Sequence, residues 1–79
     1  MRILVIDGQG GRIGCRVIEN LKKRFPDAEI IAVGTNSIAT ANMLKSGATA
    51  GATGENPVVV CSANADFIVG PLGIVLADS

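Results

Sequence analysis

Between a run of β-branched residues and an amphipathic stretch, the sequence places Gly8, Gln9, Gly10, Gly11, Arg12, Ile13 and Gly14 in succession. Glycines so spaced let the chain turn sharply, let backbone N–H groups approach an anion with no Cβ in the way, and let a helix pack closely on a strand. With a helix starting at the loop's end, its free N–H groups and positive dipole end make an anion site of the kind that holds nucleotide phosphates. The spacing is Gly-x-Gly-Gly-x-x-Gly. On the strict Gly-x-Gly-x-x-Gly register ending at Gly14, Gln9 stands where the first glycine belongs. Arg12 falls in the first helical turn, where a cation opposes the dipole by about 0.3–1 kcal/mol. It either pairs with a phosphate or projects unpaired into solvent. Asp7, at the tip of the preceding strand, repels phosphate unless a metal ion or Arg12 screens it. Its alternative role is to bond the loop's own amides as a turn-former.

These residues need elements to position them. Residues 2–6 (RILVI) are a continuous β-branched run, the pattern of a strand buried on both faces of a parallel sheet. From Arg12 to Arg24 the period becomes helical, with Ile13, Val17, Leu21 and Phe25 at four-residue spacing and Ile18 beside them. Lys22, Lys23 and Arg24 close that helix where the dipole favours cations, and Pro26-Asp27 turns the chain. Residues 29–33 (EIIAV) read as a second buried strand. Residues 38–45 read as a second helix with Ile38, Ala41 and Leu44 in one stripe, stopped by Gly47. A weak third strand is expected at 48–52. Asn56 and Pro57 fit an N-cap and first helical position. Residues 58–64 are β-branched enough for a strand, but their Asn-Pro start and the alternating order favour a short helix. Residues 66–70 (DFIVG) read as a further strand, and Pro71-Leu72-Gly73 turns into residues 74–77. The order βαβαβ(α)β with short loops selects an α/β fold, a three-layer doubly wound parallel sheet in one domain spanning residues 1–79.

In such a sheet the carboxyl ends of the strands share one edge, where ligands bind. That edge collects the glycine loop, Gly34 with Thr35 and Asn36, residues 53–56, and residues 70–73. A dinucleotide's ribose is usually held by an acid at the end of the second strand. Here Gly34, Thr35 and Asn36 occupy that place, so Thr35 and Asn36 are the groups that would bond a ribose or a 2′-phosphate. Glu55 and Asn56 are further ligand candidates, although helix capping accounts for Asn56. Acid–base machinery is sparse: the chain has no His and no Tyr, and no catalytic residue stands out. No metal-ligand set is visible. Seven basic residues balance seven acidic ones, which argues against nucleic acid or an anionic membrane as partner. The longest apolar run is too short and too broken to span a bilayer. Cys15 and Cys61 are isolated; Cys15 falls in the first turn of the first helix, but both read as small buried apolar residues. Two scattered cysteines and no leader segment point to a reducing cytoplasm.

Two resemblances bear on these readings. Gly-x-Gly-Gly-Arg-Ile-Gly is similar to the dihydrodipicolinate reductase loop that binds the pyrophosphate of NAD(P)H, a likeness confined to about the first fifteen residues. Over the whole chain, VIDGQGGRIG, AVGTNSIATANMLKSGA, GATGENPVVV and IVGPLGIVLADS together resemble an uncharacterised bacterial family of Rossmann-like proteins, a domain of unknown function. That resemblance implies a Rossmann-like fold and a nucleotide site, with no established reaction. Family members continue past this end, in keeping with an apolar run that stops at Asp78-Ser79. The expected function is nucleotide binding through residues 8–14, with NAD(P) or some other nucleotide as the ligand, in the cofactor half of an oxidoreductase. The alternative is a ligand-sensing or structural module without catalysis. The expected partners are a nucleotide or other anionic small molecule and a second copy of the chain.

Overall fold

The computed structural model describes residues 1–71 and 73–76. Eight elements follow in order: β1 (Arg2–Asp7), α1 (Arg12–Arg24), β2 (Glu29–Gly34), α2 (Ser37–Lys45), β3 (Ala50–Thr53), α3 (Asn56–Ser62), β4 (Phe67–Gly70) and β5 (Gly73–Leu76). They form one five-stranded sheet in the order β3-β2-β1-β4-β5. The first four strands are parallel, with Leu4 of β1 opposite both Ile31 of β2 and Ile68 of β4. β5 departs from the expected all-parallel sheet. It pairs antiparallel with β4, Gly70 opposite Gly73, because two intervening residues make a hairpin and cannot make a crossover. Leu72, Ala77 and the terminal Asp78-Ser79 lie outside the described residues.

Strand periodicity divides the core. Ile3, Val5, Ile30 and Ala32 point to one face, where Ile18 of α1 and Ala39 and Met43 of α2 cover them. Leu4 and Val33 point to the other, where Val58 and Cys61 of α3 pack with Ala65. The sheet is therefore sandwiched between helices, and its central strands are buried on both sides, as the unbroken apolar runs require. At the opposite edge from the glycine loop, the Arg2 N–H donates to Asp66 Oδ2 at 2.8 Å, and Arg2 Nε pairs with Glu29 Oε1 at 2.5 Å. The Glu29 hydrogen bond and charge hold the Arg2 guanidinium above its ordinary pKa.

Both helical stripes read from sequence are rotated in the structure. A step of four residues advances about 40° around a helix, so Ile13, Val17, Leu21 and Phe25 spiral off any single face. The buried centre of α1 is Gly14 and Ile18, with Val17 and Leu21 half-buried beside them, while Ile13 is 62% exposed and Phe25 lies at the C-cap. In α2 the buried residues are Ala39, Thr40 and Met43, and Ile38 and Leu44 are exposed. The Thr40 hydroxyl fixes that rotation through bonds with Ala52 O at 3.2 Å and Thr53 Oγ1 at 2.8 Å, seating α2 on β3. β3 begins two residues later than expected. Residue 56 is the first residue of α3 rather than its cap, and Glu55 takes the cap position without a side-chain bond.

Candidate functional site

The chain reverses direction around the sheet between β1 and β4, and the loops following those two strands diverge there. The crevice between them has a volume of about 600 Å³. Gly8, Gln9, Gly10, Arg12 and Ile13 line one wall, Pro71 the other, and Asp7 the floor.

Within the loop the glycines are not alike. Gly11 adopts φ +73°, in the left-handed region, and a Cβ there would stand 2.9 Å from the Ala39 carbonyl oxygen of α2. A Cβ on Gly14 would lie 2.6 Å from Met43 Sδ and 3.0 Å from Asp7 Cβ, so Gly14 is what lets α1 sit against β1 and α2. Gln9, at the strict motif's first-glycine position, also adopts a left-handed φ of +50°, a conformation that disfavours side chains by about 1–2 kcal/mol. Gly10 differs from all of these. A Cβ at Gly10 would meet nothing within 4 Å, and no positive φ requires a glycine.

Asp7 is the turn-former. Its side chain is buried, Oδ1 accepting from the Gly8 N–H at 2.8 Å and Oδ2 from the Gly14 N–H at 2.7 Å. The Gly14 N–H is one of the orphan donors of the first turn of α1, so Asp7 caps that helix from outside it. Gly11, the formal N-cap residue, offers no side chain for this. The Gly11 N–H closes the loop on Gly8 O at 2.8 Å. The N–H groups of Gly10, Arg12 and Ile13 have no protein partner among the described residues. Arg12 itself is exposed and makes no ion pair among them.

The second-strand residues play a different part from the one read from sequence. Gly34 is buried, and a Cβ there would collide with Thr40. Asn36 is committed at both ends: Oδ1 accepts from the Ala39 N–H at 2.9 Å, and Nδ2 donates to Gln9 O at 2.9 Å. Thr35 is exposed beside Gly8, leaving its hydroxyl as the free polar group there. Asn42 was not singled out by the sequence. Its Nδ2 donates to Gly10 O at 2.8 Å, giving the loop a second tether to α2. The one signal was its type, since Asn is a poor choice for a helix interior unless its side chain has a partner. No group of three or more His, Cys, Asp or Glu suited to a metal ion occurs among the described residues.

Sequence comparison adds one assignment: the profile of a domain of unknown function (DUF3842) matches residues 2–79. The chain belongs to the DUF3842 family. No curated protein and no solved structure matches it. None of the described helices in this DUF3842 chain is long and apolar enough to cross a membrane.

Proposed function

We propose that this DUF3842 chain is a Rossmann-like module that binds a nucleotide through its phosphates in the crevice between the glycine loop and Pro71. The observation that carries the reading is Gly10. Gly11 and Gly14 are explained by backbone conformation or packing, whereas Gly10 has no internal reason to lack a side chain. It lines the crevice together with Arg12 and Ile13, and the N–H groups of all three have no protein partner among the described residues, a donor set suited to an anion. Asp7 sets the balance: its carboxylate already answers the innermost amide, so a phosphate would rest on the outer amides and on Arg12.

NAD(P) is the first ligand to test. The loop fits a pyrophosphate, but no acid ends β2 and Asn36 is occupied by capping, so the Thr35 hydroxyl would be the adenosine ribose's partner there. With Asp7 bonded to two amides, no crevice residue among those described is a free acid or base. The reading is therefore of binding rather than catalysis. Free Cys15 and Cys61, on opposite faces of the sheet, fit a reducing cytoplasm.

Thermal unfolding with NADPH, NADH, ATP and AMP added separately tests this. A ligand at 100 times its dissociation constant stabilises by about 2.7 kcal/mol, or about 10 °C or more for a domain this small. Gly10→Leu is expected to abolish the shift. Absence of any shift with all four ligands defeats the reading.

The protein is also proposed to self-associate. An apolar hollow of about 310 Å³, walled by Met1, Leu21, Phe25, Phe67 and Ile74, lies on the α1 side of the sheet beside β4 and β5. Such a surface favours burial against a partner. Sedimentation is expected to give a dimer or larger species at micromolar concentration, and a well-behaved monomer refutes it.

A further inference from the structure

α1 is strongly basic: Arg12, Arg16, Lys22, Lys23 and Arg24 stand against Glu19 alone. Among the described residues none of these cations forms an ion pair. Arg12 and Arg16, one turn apart, bring like charges together, an arrangement that weakens a helix. They also line a groove of about 510 Å³ between α1 and α2, whose remaining walls are Gly10, Cys15, Asn42 and Ser46. Gly10 and Arg12 line both this groove and the crevice beside Pro71. Gly10 is thus the saddle between two hollows, and its missing side chain leaves the passage open.

We infer that the groove between α1 and α2 is a second anion subsite, and that crevice and groove together take a nucleoside polyphosphate. This rests on the nucleotide reading above and names the ligand class. The proximal phosphate lies on the loop amides, and the chain of phosphates crosses Gly10 to reach Arg12 and then Arg16. Two neutral side chains of the groove are engaged within the protein: Asn42 Nδ2 donates to Gly10 O and the Ser46 hydroxyl to Asn42 O at 3.1 Å. The two guanidiniums are the charged donors of the groove for the distal phosphates, and guanidinium suits phosphate through paired N–H groups. Past Arg16 the next hollow sets Glu19 beside Lys22 and Lys23. A nucleoside monophosphate would use the crevice alone.

Calorimetric titration of AMP, ADP and ATP in EDTA tests this with the wild-type protein and Arg16→Gln. Arg16 is exposed, and matching melting curves establish that the variant is folded. ATP is expected to bind about tenfold or more tightly than AMP. Arg16→Gln should remove most of that advantage and leave AMP binding unchanged. Raising the salt concentration should weaken ATP more than AMP. Equal affinities for AMP and ATP, or an equal loss for both in Arg16→Gln, overturn the second subsite while the crevice stands. Binding of none of the three overturns the polyphosphate class. The nucleotide reading itself then fails only if NADH and NADPH also give no thermal shift.

Discussion

Replacing Asp7 by Asn should lower stability and raise anion affinity at once. The carboxylate holds two backbone donors, the Gly8 and Gly14 N–H groups, at 2.8 and 2.7 Å, in a side chain only 8% exposed. An amide in its place keeps one acceptor oxygen and turns an NH2 group towards the other donor. Loss of an N-cap bond costs about 0.5–2 kcal/mol, and a buried donor left unpaired costs about 1–3 kcal/mol. Because both figures describe the same Gly14 bond, they are not summed, and a loss of about 2 kcal/mol is expected. For a domain of this size that is about 8–16 °C in Tm. Circular dichroism melts and urea titration measure it. The same change removes a negative charge from the floor of the crevice, so any anion that binds there should bind more tightly to the variant. A stability change below about 0.5 kcal/mol would show that Asp7 does not cap α1. Weaker anion binding by a folded variant would place the ligand's charge elsewhere.

The two central glycines should separate structure from binding. Gly11→Ala forces a Cβ into the left-handed region and to 2.9 Å from Ala39 O, and is expected to cost more than about 1–2 kcal/mol in urea unfolding. Gly10→Ala meets open space and should stay within about 0.5 kcal/mol of wild type, while lowering nucleotide affinity in titration. A Gly10→Ala protein that binds as wild type does would remove the reason for that glycine.

Much of this architecture can be read from local patterns. The run of apolar residues at 3–6 announces a strand covered on both sides, and the onset of a helical period at Arg12 marks the loop between. Side-chain direction was harder. α2 carries apolar groups on several sides, and its buried face is chosen by tertiary bonds from Thr40 to β3 and from Asn36 and Asn42 to the glycine loop. None of these is encoded in spacing. The same holds at the site. The loop was legible because glycine types signal backbone geometry, but which glycine packs and which stays open depends on Ala39 and Met43, more than twenty residues away. The direction of β5 followed from turn length rather than from its own residues.

The two asparagine tethers fix the loop's shape from within the protein. Gln9 O and Gly10 O are each held by an amide from α2, and Asp7 fixes both ends of the turn. A loop held at four points loses its conformational freedom when the protein folds. A ligand arriving later then has little ordering left to impose, and association need not wait for a rearrangement. On the proposed reading, such a pre-formed cradle would turn more of the contact energy into affinity, because little of it is lost to ordering the loop.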